Sequence, residues 1–131
     1  MLVVDASTSV QAAVSAEGFA PLAEHELVAP ALMWPQARAA LHQAARRGEL
    51  PAEDAREAHR RLERSPVEAV AHPDLGETAW AIADELGLVG TYEAEYLALA
   101  RLLGCRVLTL DGRLVRRAAG LGLTITPGQL L

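Results

Sequence analysis

The sequence contains no lysine, so all twelve of its basic residues are arginines. This absence excludes several kinds of site, because a P-loop, a Schiff-base enzyme and a phospho-acceptor receiver domain each need a lysine side chain. Arginine instead recognises phosphate through a planar pair of N–H donors. Any phosphate recognition by basic side chains must therefore come from arginine.

The chain is also poor in cysteine and has no long apolar run. Its single cysteine, Cys105, excludes an intrachain disulfide and makes a reducing cytoplasm the expected compartment. Apolar neighbours predict that Cys105 is a small core residue. No apolar run reaches the roughly 18 residues of a membrane span, and no basic segment precedes an apolar one at the N-terminus. We therefore expect neither a membrane segment nor a signal peptide.

Net positive charge is lacking as well, since the formal net charge is −5. Proteins that hold nucleic acid by bulk charge are usually basic, so any contact with nucleic acid must be local. The length of 131 residues and the hydrophobic share of 51% predict one domain, residues 1–131, with a substantial core.

Apolar runs of strand length alternate with longer helical segments. We expect strands at 2–4, 27–29, 67–71, 106–110 and 123–125. We expect helices at 7–14, 31–47, 51–64, 74–86, 92–103 and 114–119, and a helical turn at 19–23. Pro35 suits a first helical turn, so the second helix has an alternative start near Met33. The alternation predicts an α/β fold with a mainly parallel sheet and helices on both faces.

Two of the predicted strands are followed by an acid. Asp5 follows the first strand and Asp111 the fourth, and the carboxyl ends of parallel strands meet at one edge of a sheet. Glu93 lies in the first turn of the helix before the fourth strand, and the spacing leaves open which edge that helix starts from. If the three acids converge, their repulsion requires a cation. Carboxylates without His or Cys favour Mg²⁺ or Mn²⁺, which serve phosphoryl transfer.

Each of these acids also has a purely structural explanation. Asp5 could cap the first helix, where Ser7 or Thr8 are the expected caps. Glu93 could be favoured by the dipole at a helix N-terminus, and Asp111 could be the first residue of an Asp–Gly turn. The residues alone leave these alternatives open.

Four blocks of sequence in order, residues 3–7, 29–32, 91–100 and 107–114, together resemble the PIN-domain family. The likeness is greatest to VapC-type toxins of bacterial toxin–antitoxin pairs, and it covers essentially the whole chain. The resemblance implies a PIN-like three-layer α/β/α fold with a mainly parallel central sheet. It also implies a Mg²⁺-dependent ribonuclease, with Mn²⁺ as a substitute, that cuts single-stranded or looped RNA. A small antitoxin protein and a homodimer are the implied partners.

The resemblance also assigns roles to individual residues. Asp5 and Asp111 match two of the family's metal-binding acids, Glu93 stands where the family usually has Asp, and Gln36 where it usually has Glu. Asp5, Glu93 and Asp111 are thus the expected metal ligands, and Gln36 is expected to orient water or metal. The extra methylene of Glu93 moves its carboxylate by about 1.5 Å, a displacement to which catalysis is sensitive. Gln36 lacks the charge and cannot act as a base.

These departures predict weaker Mg²⁺ binding and raise an alternative function. A catalytically degraded PIN domain could bind RNA or antitoxin without cutting, and a purely structural subunit would bind no metal. The sequence argues against a dehalogenase-like phosphatase, because the residue two after Asp5 is Ser7 where an acid is needed, and the lysine that such enzymes usually need is absent.

Further side chains are candidates for contact with RNA. Ser7 and Thr91 could hold a phosphate or a water, although both residue types often cap helices. Arg113, with Arg116 and Arg117, could hold RNA phosphates or form a solvated helix face. Tyr92, beside Glu93, could stack on a base or pack within the protein. The scattered histidines have no zinc-ligand spacing, and we expect Thr109 to be structural.

Overall fold

A computed structural model describes residues 1–130 of the chain. Within this range, the strands are β1 (Leu2–Val4), β2 (Leu27–Ala29), β3 (Glu68–Ala69), β4 (Arg106–Leu108) and β5 (Thr124–Ile125). They form one parallel sheet in the order β3-β2-β1-β4-β5. All residues of β1 and β2 are buried. Burial of both faces explains why these strands are continuous apolar runs.

The helices are α1 (Ala6–Val14), α2 (Met33–Arg46), α3 (Ala52–Glu63), α4 (Leu75–Leu86), α5 (Tyr92–Leu103) and α6 (Gly112–Arg117). Short 3-10 turns occur at Ala20–Leu22, Ala119–Leu121 and Pro127–Leu130. Helices α1, α2 and α3 pack on one another, whereas α4 packs on α5, which contacts β1 and β4. The predicted α/β/α layering with a parallel sheet is confirmed.

The strand order creates a switch point between β1 and β4. From β1 the chain moves outwards to β2 and β3, whereas β4 and β5 lie on the other side of β1. Right-handed crossovers then place α1–α3 on one face of the sheet and the helices before and after β4 on the other. The segments that follow β1 and β4 lead to helices on opposite faces, and the carboxyl ends of these two strands are where open α/β sheets bind ligands.

The sequence predictions were wrong chiefly at the ends of elements. Helix α1 begins at Ala6 because Asp5, and not Ser7 or Thr8, caps it. Helix α6 begins at Gly112 and not 114, because Asp111 caps it. Strand β4 ends at residue 108 and not 110, since the N–H of Leu110 donates to the hydroxyl of Ser7 at 3.1 Å. The alternative start of the second helix at Met33 is confirmed.

The core lies on both sides of the central strands. Val3, Val4 and Val107 of the sheet are fully buried against helix residues that include Met33 of α2 and Leu97 of α5. No helix within residues 1–130 combines the length and the apolar character needed to span a bilayer.

Candidate active site

Asp5 is a buried carboxylate held by three donors at the end of β1. Its Oδ1 accepts from the hydroxyl of Ser7 at 2.7 Å and from the backbone N–H of Thr8 at 3.0 Å. Its Oδ2 accepts from the hydroxyl of Thr109. Only 6% of Asp5 is exposed. The residue thus caps α1 and also presents a fixed carboxylate at the switch point, so the two alternatives posed by the sequence hold together.

Thr109 links Asp5 to Asp111, a role that the sequence analysis missed. Its fully buried hydroxyl donates to Asp5 and accepts from the backbone N–H of Asp111 at 3.0 Å. In parallel, the hydroxyl of Thr8 donates to the carbonyl of Leu108 at 2.8 Å. These bonds tie the carboxyl ends of β1 and β4 together. The sequence feature that could have indicated this role is the position of Thr109, a hydroxyl residue directly after β4 and two residues before Asp111.

Asp111 offers an oxygen that the protein does not use. Its Oδ1 accepts from the backbone N–H groups of Arg113 at 3.0 Å and Leu114 at 3.3 Å, which caps α6. Its Oδ2 makes no hydrogen bond with any residue in the range 1–130. The half-buried side chain of Asp111 therefore retains one oxygen for a ligand.

Glu93 is the second residue of α5 and lies at the same sheet edge as the two aspartates. Only Gly104 and Cys105 join α5 to the start of β4, and Gly104 reverses the chain with a φ of 70°. So short a connection makes α5 antiparallel to β4, so α5 begins at the carboxyl edge. The side chain of Glu93 is exposed and makes no hydrogen bond within the described residues.

Gln36 lies in the first turn of α2 and is held by Tyr96 of α5. The Tyr96 hydroxyl donates to Oε1 of Gln36 at 2.6 Å, a length typical of O–H···O bonds and short for N–H···O bonds. Burial raises the pKa of Tyr96 far above its usual range, and the nearby charge of Asp5 raises it further, so the hydroxyl keeps its proton. Because its oxygen is engaged by Tyr96, Gln36 has its amide N–H groups left for other partners.

These side chains surround one cavity of about 390 Å³. Its lining consists of Asp5, Ala6, Ser7, Gln36, Ala39, Ala40, Gln43, Glu93, Tyr96, Asp111 and Leu114. We call it the acidic cavity. Five of the seven predicted site residues therefore line one cavity, although they come from distant parts of the chain.

Two predicted substrate-binding residues do not line the acidic cavity. Thr91 lies in a neighbouring groove, and its side chain makes no capping bond to α5, contrary to the sequence expectation. Arg113 is exposed, and only its backbone N–H contacts Asp111. Neither side chain is positioned by contact with Asp5.

The side-chain atoms around the acidic cavity that could coordinate a metal are of the kind that binds hard cations. They are carboxylate and amide oxygens without His or Cys, the set that Mg²⁺ and Mn²⁺ prefer. Among residues 1–130, however, no three His, Cys, Asp or Glu side chains are arranged so that they could hold one metal ion. A shared ion would therefore require movement of the side chains, for which the exposed Glu93 has the most freedom.

Comparison with known proteins places the chain in a family. No protein-family model matches it. It is 35% identical to VapC ribonuclease Mb0985 of Mycobacterium bovis over 116 residues, which are 87% of this chain and 88% of that protein. Ribonuclease VapC9 of Mycobacterium tuberculosis matches with the same identity and coverage. The crystal structure of PAE2754 from Pyrobaculum aerophilum aligns with a TM-score of 0.77 at 27% identity, covering 98% of this chain and 90% of that one. The chain therefore belongs to the VapC-type branch of the PIN-domain family.

Proposed function

We propose that this chain is a Mg²⁺-dependent endoribonuclease that acts as the toxin of a type II toxin–antitoxin pair. Its curated relatives are named VapC ribonucleases. The observation that carries the proposal is the acidic cavity, where Asp5, Glu93 and Asp111 meet at the switch point of the sheet. A cavity lined by carboxylates at this edge is suited to a phosphodiester only if a cation offsets their charge.

The contacts of each residue in the acidic cavity indicate its role in the proposed reaction. Asp5 is the rigid ligand, because three donors fix it. Asp111 contributes its unbonded Oδ2, and Glu93 is the mobile third acid. Bound Mg²⁺, or Mn²⁺ in its place, would neutralise charge on the phosphate and make a water a better nucleophile. Gln36, with its oxygen engaged by Tyr96, donates an amide N–H to water or to a phosphate oxygen.

A cleavage assay tests this function. We expect RNA to be cut into fragments with 5′-phosphate and 3′-hydroxyl ends when Mg²⁺ or Mn²⁺ is present, and to stay intact with a chelator. Asp5→Asn is a matched variant, because asparagine also caps helices and can accept from Thr8. Loss of cleavage by a variant that still folds cooperatively is the expected result, with a lowered melting temperature because the amide replaces a charged acceptor and has only one oxygen for the three donors. Normal cleavage and normal Mn²⁺ binding by Asp5→Asn would refute the mechanism.

A second candidate function, a binding module that does not cut, is favoured by two departures and one geometric fact. Gln36 and Glu93 replace the residues usual in the family, and no three acids are preassembled around one point in the part of the chain that the structure describes. The double variant Gln36→Glu/Glu93→Asp discriminates the two. Cleavage only by the double variant supports the binding module, whereas cleavage by the wild type supports the nuclease.

The proposal includes a small antitoxin and a homodimer as partners, and the cytoplasm as compartment. Membership of the VapC-type branch, together with the resemblance to toxins of toxin–antitoxin pairs, supports the antitoxin. Co-purification with the product of the adjacent reading frame tests it, and that product should also suppress cleavage. Analytical ultracentrifugation of the chain alone tests the dimer.

A further inference from the structure

A second cavity adjoins the acidic cavity and shares Glu93 with it. Its volume is about 510 Å³, and it is lined by Leu88, Val89, Gly90, Thr91, Tyr92, Glu93 and Arg117. We call it the Tyr92 groove. Because Glu93 lines both spaces, a ligand seated at the acids can continue into the groove without leaving the protein surface.

The Tyr92 groove combines an accessible aromatic ring with an arginine. Tyr92 is 65% exposed, although large apolar groups are usually buried, and Val89 beside it is fully exposed. Arg117 forms no ion pair with any residue in the range 1–130. In a chain with a net charge of −5, this cation lines the same groove as Glu93, one of the acids that the proposed reaction uses. Aromatic rings stack on unpaired bases, and arginine pairs with phosphate.

We propose that the Tyr92 groove binds the nucleotide next to the phosphate held in the acidic cavity. The base of this nucleotide stacks on Tyr92 and its other phosphate pairs with Arg117. The volume lies within the roughly 300–1,000 Å³ of small-molecule pockets. A base must be unpaired to stack in this way, so the groove selects single-stranded or looped RNA at this position. The inference rests on the proposed function in placing a phosphate at the acids.

Binding of RNA without cleavage tests the groove directly. In the Asp5→Asn background, fluorescence anisotropy measures the Kd of an unstructured, labelled RNA. Tyr92→Ala should weaken binding by roughly 5- to 150-fold, the equivalent of 1–3 kcal/mol per stacked base, whereas Tyr92→Phe should bind like the parent. Trp80→Ala is the matched control, because Trp80 is 68% exposed on α4 and lies outside the groove.

The salt dependence of binding tests the arginine. Arg117→Gln should lower the slope of log K against log salt by about 0.7, the value for one phosphate contact with a single strand. Arg64→Gln, which changes an exposed arginine at the end of α3, should leave the slope unchanged. Equal slopes for the parent and Arg117→Gln would overturn the phosphate contact.

A modified substrate distinguishes failure of the groove from failure of the nuclease. An abasic nucleotide on one side of the phosphate that is cut should reproduce the loss seen with Tyr92→Ala, and the two changes should not add. If the protein never cuts RNA but Tyr92→Ala weakens RNA binding, the proposed nuclease activity is wrong and the proposed groove is supported. If the protein cuts RNA and neither Tyr92→Ala nor Arg117→Gln changes cleavage, the nuclease activity is supported and the groove proposal is wrong. If Tyr92→Ala affects RNA only by changing the oligomeric state, the groove is a protein interface and the proposal falls.

Discussion

Replacing Thr109 with valine would remove the hydroxyl that joins Asp5 to Asp111 while keeping the shape of the side chain. Thr109 is fully buried, so water cannot take the place of the hydroxyl. A hydrogen bond to a charged group is worth about 1.5–3 kcal/mol, and a buried N–H left without a partner costs about 1–3 kcal/mol. Asp5 keeps two other donors and Asp111 is only half-buried. We therefore expect Thr109→Val to lower the free energy of unfolding by about 2–4 kcal/mol.

Urea denaturation measures this loss, and Thr8→Val is the matched control. The hydroxyl of Thr8 is also buried, but it donates to the neutral carbonyl of Leu108, so its removal should cost only about 0.5–1.5 kcal/mol. Thr109→Val should also weaken divalent-cation binding more than Thr8→Val does. An equal or smaller cost for Thr109→Val would show that its bond to Asp5 contributes little to the stability of the fold, contrary to this prediction.

Two further predictions concern Gln36 and Tyr96. Gln36→Glu adds a fourth acid to the acidic cavity, so without divalent cations the variant should melt at a lower temperature than the wild type. Mg²⁺ should raise the melting temperature of the variant more than that of the wild type. Equal increases would show that residue 36 does not contact the metal. In a Tyr92→Phe background Tyr96 is the only tyrosine, and near-ultraviolet absorbance should show no tyrosinate at pH 10 while the chain is folded. Because the pKa of Tyr96 is higher in the folded chain, the unfolded chain loses this proton at a lower pH, so the free energy of unfolding should fall as the pH rises above about 10. The same fall in a Tyr96→Phe variant would show that Tyr96 does not cause it.

The sequence was sufficient for the architecture because its signals are local. The runs at residues 2–4 and 27–29 are apolar on both faces, which only a strand buried on both sides requires. Gly87 and Gly104 end α4 and α5 in the left-handed conformation that glycine adopts most easily. These features depend on neighbouring residues only, so they can be read without the fold.

The candidate site was less accessible because its contacts join residues far apart in the chain. Thr109 was expected to be structural, since its place between the strand and Asp111 does not by itself reveal that its hydroxyl meets Asp5, 104 residues away. The contact between Tyr96 and Gln36 spans 60 residues and was likewise invisible. The position of Glu93 was left open, although the short connection from α5 to β4 contained the answer. Asp5 was weighed as a cap or as a site residue, whereas its two oxygens allow both roles.

Calorimetric titration with Mn²⁺ or Mg²⁺ measures directly whether Asp5, Glu93 and Asp111 share one divalent cation. We expect one site in the wild type, weakened at least about tenfold in each of Asp5→Asn, Glu93→Gln and Asp111→Asn. Glu95→Gln, which changes an acid on α5 outside the acidic cavity, should bind like the wild type. No binding by the wild type, or binding that any of these three variants retains in full, would show that the three acids do not share an ion.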